Sequence, residues 1–422
     1  MTRRGFTRVA LVLTPVLYAV ACRDTTAPVP GSPPAALTQL PRALTAAESS
    51  VRDATNAFSF SLWDTANAAQ PGTNVFISPL SASFALGMTM NGAATTTYGQ
   101  MHAALQLGSS SLGDIDAGYQ SLTALLESLD PGVKMQIANS IWYRSGFPVL
   151  PSFVDATKTW FDATVQGLNF NDGPGSLATI NGWVSNATNG KIPTVLDAID
   201  PSAVMFLINA IYFKGSWRSK FDATLTAPAS FASSASGAQP MQLMHQVGSQ
   251  SYAETASYQA VDLSYGDSAF SMTVLLPKAG TDIEALAASL TPATWQTIVG
   301  GLQATERVDL SLPKLTLNCE RLLNQDLMSL GMIEPFDHGG ADFTGMAPNP
   351  IGSQLYIDFV KQNSFLAIDE EGTEAAAVTT VGISDTSAPN VFVMRVDHPY
   401  IVVIREHLTG TVLFMGKVVN MP

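Results

Sequence analysis

The sequence predicts a single α+β domain with several sheets. Apolar residues recur at helical spacing in the first third, and short apolar or alternating runs bounded by turn residues fill the later stretches. No internal repeat or second linker divides the chain. Over 422 residues, 46% hydrophobic and 13% charged content supplies one large core and excludes disorder for most of the length. The 32 Gly and 25 Pro are ordinary proportions, which excludes collagen-like and low-complexity classes. The formal charge is −13. Without Arg3, Arg4 and Arg8 of the first 21 residues, 18 basic residues stand against 34 acidic, or −16. Nucleic acid and glycosaminoglycans are therefore not expected as partners.

The order along the chain begins with an export signal. Arg3, Arg4 and Arg8 precede an apolar run from Val9 to Ala21, 13 residues interrupted by Pro15, which is too short to anchor a mature protein across a bilayer. Residues 1–21 are expected to be cleaved. Ala19-Val20-Ala21-Cys22 is an acceptable bacterial lipobox without the preferred Leu, and the Arg pair with Phe6 resembles a twin-arginine signal. Lipidation at Cys22 is the preferred reading, with plain cleavage after Ala21 and a free terminal thiol as the alternative. Residues 22–47 then form a Pro/Thr/Ala-rich linker, and 48–422 the single domain. These features predict a cell-envelope lipoprotein, or a secreted or periplasmic protein, whose contact with membrane is through the lipid at Cys22.

The one other cysteine is Cys319, so a processed lipoprotein has no partner for an intramolecular disulfide and must rely on packing. No CxxC, HExxH or Cys/His spacing occurs, and five histidines are scattered singly; no metal site and no cofactor are expected.

Within the domain, Val51, Ala54, Phe58 and Leu62 mark a helix over residues 43–68, and 80–90 repeats the pattern after the turn at Ser78-Pro79. Strands are predicted at 203–213, 260–263, 270–276, 308–317, 355–368, 391–396, 400–405 and 412–418, and helices at 283–290, 292–298 and 322–330. Ile401-Val402-Val403-Ile404 is apolar at consecutive positions, which predicts a strand covered on both faces at the centre of the core.

No enzyme active site emerges. Gly266-Asp267-Ser268-Ala269 lacks the last Gly of a nucleophile elbow and precedes a strand rather than a helix, so a hairpin turn is expected. The pairs Gly300-Gly301 and Gly339-Gly340 lack the following Lys of a phosphate loop. The segment that looks functional is the long connection 370–390. Read with period two, Thr373, Ala375, Ala377, Thr379, Val381 and Ile383 share one face and are all small or apolar. No proline occurs from Thr373 through Ala388, so every N–H there is free to join a ladder. The loop is written as a strand.

Residues Glu370 to Val378 resemble the proximal hinge of the serpin family of protease inhibitors. Other blocks resemble serpin blocks in the right order: Asn74-Val75-Phe76-Ile77-Ser78-Pro79-Leu80-Ser81, Ala138-Asn139-Ser140-Ile141-Trp142-Tyr143, Thr188-Asn189-Gly190-Lys191-Ile192, Asn209-Ala210-Ile211-Tyr212-Phe213-Lys214-Gly215-Ser216-Trp217, Leu312-Pro313-Lys314-Leu315, Ala341-Asp342-Phe343-Thr344-Gly345, and the ending from Val396-Asp397-His398-Pro399-Tyr400 to Met415-Gly416-Lys417-Val418. The resemblance covers roughly residues 48 to 422. It implies a serpin fold of three β-sheets, about eight or nine helices and an exposed reactive-centre loop, and it implies an inhibitor rather than an enzyme. In that mechanism a serine protease attacks the loop, and the severed loop inserts into the main sheet before the acyl-enzyme hydrolyses.

The resemblance further implies roles. Gly372 is the pivot, Thr373 the first side chain to enter the sheet, and Glu374, Ala375, Ala376 and Ala377 the hinge that must insert quickly. Glu370 and Lys314, beside Trp217, match a pair that holds the top of the sheet; Ser78, Ser81 and Asn209 match a polar cluster where strands separate. Gln362 stands where the family often has His, and cannot titrate like it. Tyr400 stands where the family usually has Phe, which adds a hydroxyl that must find a partner or reach water.

Counting seventeen residues from Glu370 places the reactive bond at Thr386-Ser387; counting back from Pro399 moves it about two residues, toward Ala388-Pro389. Thr386 is small and uncharged, which suits elastase-like or subtilisin-like serine proteases rather than trypsin-like ones; papain-like cysteine proteases also form acyl-enzymes and are the other candidate class. A monomer is expected. The competing reading is a non-inhibitory serpin, cut as a substrate or used as a binding module, motivated by loop length and by Gly382, which weakens strand propensity.

Overall fold

The computed structural model describes residues 35–200, 202–233, 236–373 and 391–422. The chain runs α1 (Ala46–Ala69), β1 (Val75–Ile77), α2 (Pro79–Met90), α3 (Thr95–Ala104), α4 (Leu112–Ser128), β2 (Val133–Arg144), α5 (Pro151–Phe161), β3 (Thr164–Leu168), α6 (Gly173–Ala187) and β4 (Met205–Ser216). It continues through β5 (Ala227–Ser233), β6 (Gly237–Glu254), β7 (Tyr258–Ser264), β8 (Phe270–Pro277), α7 (Ile283–Ala288), α8 (Pro292–Gly301), β9 (Gln303–Pro313) and β10 (Leu315–Leu322). The last elements are α9 (Asn324–Ser329), β11 (Lys361–Ile368), β12 (Gly372–Thr373), β13 (Phe392–Arg395), β14 (Tyr400–Glu406) and β15 (Val412–Val418). Among the described residues there are three sheets, of nine, four and two strands, and nine α-helices.

Local chemistry explains the helix starts. Thr45 caps α1: its hydroxyl accepts from Glu48 N–H at 3.1 Å while the Glu48 carboxylate accepts from Thr45 N–H at 2.7 Å. Val51, Ala54, Phe58 and Leu62 then form the buried stripe that the spacing predicts. At α2, Ser78 caps and Pro79 takes the first helical position, where no N–H is required.

The nine-stranded sheet has the order β1-β15-β14-β8-β7-β6-β9-β13, with β5 paired to β6. Every residue of β14 is buried, with β15 and β8 as ladder partners, which agrees with the two-sided apolar run at 401–404. The Gly266–Ala269 stretch is the turn between β7 and β8, with Gly266 and Ser268 at positive φ and Ser268 N–H bonded to Tyr265 carbonyl at 2.7 Å.

Two predicted strands need correction. The run 308–317 is not one strand: β9 ends at Pro313 in the nine-stranded sheet and β10 begins at Leu315 in the two-stranded sheet. The apolar alternation slips by one position across this transfer, from Val308, Leu310 and Leu312 to Leu315 and Leu317, a phase change that a single-strand reading of the run passes over. The run 355–368 is a strand only from Lys361, because the backbone before it bonds elsewhere: Ile357 N–H to Pro335 carbonyl, Val360 N–H to the Asn324 side chain, and Val360 carbonyl from Leu323 N–H.

The four-stranded sheet, β12-β4-β2-β3, has two different faces. Phe206, Ile208 and Ala210 of β4 join a small core with Trp142, Ile180 and Val184 under α6. Met205, Leu207, Ile211 and Phe213 alternate with them and face the main core.

Candidate functional site

The chain reverses direction just after β11. Asp369 N–H donates to Gly372 carbonyl at 3.0 Å, and the Asp369 carboxylate accepts from Glu371 N–H at 2.9 Å and Gly372 N–H at 3.1 Å. β12 therefore lies antiparallel to β4, with Gly372 opposite Ser216 and Thr373 opposite Gly215. Gly372 has a φ of +150°, and a Cβ there would stand 2.1 Å from Gly215 carbonyl, so glycine is required on both conformational and steric grounds. Thr373 is buried, and its hydroxyl meets the Tyr265 hydroxyl at 2.7 Å. The Tyr265 ring covers Gly215, where a Cβ would come within 2.8 Å of it, and stacks on Trp217 at 4.5 Å between centroids. Burial raises the Tyr265 phenol, with the Thr373 hydroxyl acting in the opposite direction.

Trp217 ties the turn to the end of β4. Its backbone N–H donates to Glu371 carbonyl at 2.8 Å and its indole N–H to Asp369 carbonyl at 2.8 Å, while Phe221 N–H donates to Glu370 carbonyl at 3.0 Å. The Glu370 carboxylate accepts from Lys314 Nζ at 2.6 Å and Thr226 Oγ1 at 2.8 Å. Burial pushes its pKa up, but these donors outweigh that and hold it below the usual carboxylate range. With Lys314 well exposed, the ion pair contributes roughly 0–1 kcal/mol, less than the backbone bonds around it. A second pair, Lys220 with Glu371 at 2.5 Å, flanks the turn.

Lower in the sheet, β4 and β11 share no ladder among the described residues. The first turn of α2 bridges them. Gln362 of β11 accepts from Ser78 N–H at 2.9 Å and donates to Ser78 carbonyl at 2.8 Å, and Ser78 Oγ donates to Leu413 carbonyl at 2.9 Å. Ser81 Oγ donates to Asn209 Oδ1 of β4, and Asn209 Nδ2 donates to Asn139 Oδ1 of β2 at 2.7 Å. The Gln362 amide thus forms a two-point clamp on one backbone unit.

The predicted site residues separate into three groups. Glu370, Lys314, Trp217, Gly372 and Thr373 come together at the top of the sheet. Ser78, Ser81, Asn209 and Gln362 come together where β4 and β11 part. Cys22, Glu374, Ala375, Ala376, Ala377, Thr386 and Ser387 lie outside the described residues.

The profile of the family described as Serpin (serine protease inhibitor) matches residues 53–421. The chain belongs to the serpin family. It is 33% identical over 371 residues to serpin B8 of Homo sapiens, covering 86% of this chain and 98% of that protein. It is also 31% identical to an uncharacterized serpin-like protein of Methanosarcina acetivorans over 376 residues, 86% of each. Among solved structures, human glycosylated kallistatin superposes with a TM-score of 0.81 at 26% identity, covering 89% of this chain and 99% of that one. The thermophilic serpin tengpin in its native state gives 0.79 at 28% identity, with 91% and 96% covered. The three sheets and nine helices are the serpin fold, and serpins are protease inhibitors that bind target proteases rather than enzymes.

Several residues of this serpin's site escape sequence reasoning. Tyr265, Thr226, Lys220 and Asp369 each contribute a side chain to the hinge, yet none sits in a quoted block. Asn139 does, but only its register opposite Asn209 shows that the two amides meet. Tyr400 bears on an expectation: its hydroxyl is fully buried and has no hydrogen-bond partner among the described residues. Burial raises its pKa accordingly. Cys319 lies on β10, partly exposed, with its thiol pushed up by burial. Among the described residues no group of three or more His, Cys, Asp or Glu is placed to hold a metal ion, and no helix is long and apolar enough to cross a membrane.

Proposed function

We propose that this serpin is an inhibitor of elastase-like or subtilisin-like serine proteases that acts as a suicide substrate cut at Thr386-Ser387. The target's serine oxygen adds to the Thr386 carbonyl, the Ser387 amine leaves, and an ester joins protease to loop. The severed loop then enters the sheet beside β4 and carries the protease with it before water hydrolyses the ester.

The observation that carries this reading is the register of β12. Of the twelve residues of β4, Ser216 and Gly215 are paired to β12, which leaves ten positions, Met205 to Lys214, without a ladder partner on that side among the described residues. Continuing the same register sets residues 374–383 against those ten positions. Ala375 falls opposite Phe213, Ala377 opposite Ile211, Thr379 opposite Asn209, Val381 opposite Leu207 and Ile383 opposite Met205, all on the main-core face. On the other face Glu374 falls opposite Lys214. The first proline of the connection, Pro389, comes after the last of these positions. About ten new ladder bonds at roughly 0.5–1.5 kcal/mol net each release on the order of 10 kcal/mol, which makes the intact loop a kinetically held state.

Cleavage of the loop by any protease should therefore raise thermal stability markedly, because ten vacant ladder positions fill. A cut chain that unfolds at the temperature of the intact one contradicts insertion.

The chain is also read as a bacterial export product, directed by residues 1–21 and tethered by lipid on Cys22. Supporting this are the arginine-rich start, the 13-residue apolar run and the small residues before Cys22. Intact mass of the mature chain tests it: a diacylglyceryl-modified Cys22 is expected, and a retained leader or an unmodified thiol contradicts it.

A further inference from the structure

The nine-stranded sheet ends in an unusually apolar edge. Among the described residues β13 is its terminal strand, paired in parallel with β9, and the Gln259 amide donates to Val393 carbonyl at 2.8 Å. Met394 is fully buried, while Phe392, 37% exposed, packs on Tyr252 at 5.2 Å between ring centroids. The alternate residues point outward, and two of them are valines: Val391 is 42% exposed and Val393 59%. Val393 stands in register with Asp309 of β9, which stands in register with Val247 of β6, itself 47% exposed. The neighbouring basic side chains are already engaged, His245 with Asp309 at 2.9 Å and Arg395 with Asp397 at 2.9 Å. Edge strands that face water normally carry charge to discourage pairing, so two exposed valines at this one ask for an occupant.

Chain length says which occupant. Val391 is four positions beyond Ser387, and an extended chain spans at most about 3.3–3.6 Å per residue, so Val391 lies within about 14 Å of the reactive bond. A protein that docks on a partner covers about 800 Å² of it, a disc of roughly 16 Å radius. A protease centred on Thr386-Ser387 therefore stands over Val391, and it reaches Val393, six positions from Ser387 and so at most about 21 Å away, where the chain falls short of full extension. We propose that Val391, just before β13, and Val393 within it are an accessory docking strip for the target protease, receiving an apolar surface loop on the leaving-group side of its cleft. The inference rests on Thr386-Ser387 being the reactive bond. It adds a determinant of partner choice: the loop offers a small residue to the primary pocket, and the strip favours proteases whose leaving-group flank is apolar.

The test uses the mature chain, a Val391→Ser/Val393→Ser variant, and a Val391→Thr/Val393→Thr variant that keeps β-branched strand formers. Each is mixed with an elastase-like and a subtilisin-like protease, and the second-order rate of loop attack is measured alongside stoichiometry, thermal midpoint and light scattering. The strip predicts at least a fivefold slower attack in both variants, with stoichiometry and midpoint unchanged. Equal rates overturn it while leaving the inhibitor reading intact. A slower rate accompanied by a lowered midpoint in both variants overturns it as a structural effect, and loss of a dimer in the variants overturns it in favour of a second copy. If the wild type is clipped without a covalent adduct, the inhibitor reading fails, yet the strip stands or falls on whether clipping is still slowed. A loop untouched by both proteases overturns the two together.

Discussion

The hydroxyls of Thr373 and Tyr265 meet at 2.7 Å inside the sheet of an uncut chain. The first insertable side chain thus already has a buried partner, held under the Trp217–Tyr265 stack. Tyr265→Phe removes one hydrogen bond and leaves the Thr373 hydroxyl buried without that partner. The expected cost is about 1 kcal/mol, read as a lower urea midpoint together with faster proteolysis immediately after residue 373. A variant with wild-type midpoint and wild-type proteolysis would show that this contact does not retain the hinge.

Gly372→Val should expel the hinge from β4 without touching the rest of the sheet. A Cβ at this position meets Gly215 carbonyl and Ser216 Cα, both backbone atoms that have no rotamer to escape into. Hydrogen exchange at the Trp217 amide, now bonded to Glu371 carbonyl, is expected to accelerate by an order of magnitude or more, while amides of β14 stay protected.

Thr373→Arg sets a charge where Thr373 is buried beside Tyr265. Insertion should then lose its race with deacylation, and a target protease should clip the loop and go free. Undiminished covalent complex would remove Thr373 from the account.

Tyr400 predicts a gain. Its hydroxyl is buried with no partner among the described residues, at a strand whose neighbours are all apolar or backbone-paired. Tyr400→Phe removes that unsatisfied group and should stabilise the chain by about 1 kcal/mol or more. A lowered urea midpoint would mean the hydroxyl is satisfied in solution.

Asp116 sets a pH dependence. Burial pushes its carboxyl up to about 6, with the Asn91 amide at 2.9 Å acting in the opposite direction. The folded value lies above the unfolded one near 4, so this group's contribution is fully present below about pH 4 and is lost as pH rises through about 6. Asp116→Asn has no charge to bury. Its advantage over wild type should be small at pH 4 and grow to on the order of 1 kcal/mol by pH 7.5, read from paired urea titrations. A difference that does not change with pH contradicts the assignment.

Sequence carried the elements whose pattern is local. The α1 stripe of Val51, Ala54, Phe58 and Leu62 and the doubly covered 401–404 run are both where the apolar pattern places them, because burial there involves one face of the helix and both faces of the strand. The transfer at Pro313–Lys314 is marked in the sequence only by a one-position slip of the apolar alternation, between Leu312 and Leu315, which a single-strand reading absorbs. At the site, Glu370, Lys314 and Gly372 were legible as parts of short blocks. Tyr265 was not, since its pairing with Thr373 spans 108 positions and depends on Gly215 yielding room for its ring. Asn139 likewise acquires meaning only through its register with Asn209.

The central claim is that cleavage of this serpin's loop traps the protease. The mature chain should be incubated with an elastase-like and a subtilisin-like protease, and each mixture resolved by denaturing gel and intact mass. The account predicts a covalent adduct surviving denaturation and a released peptide beginning at Ser387. A chain clipped at that bond, with active protease and no adduct, would contradict it.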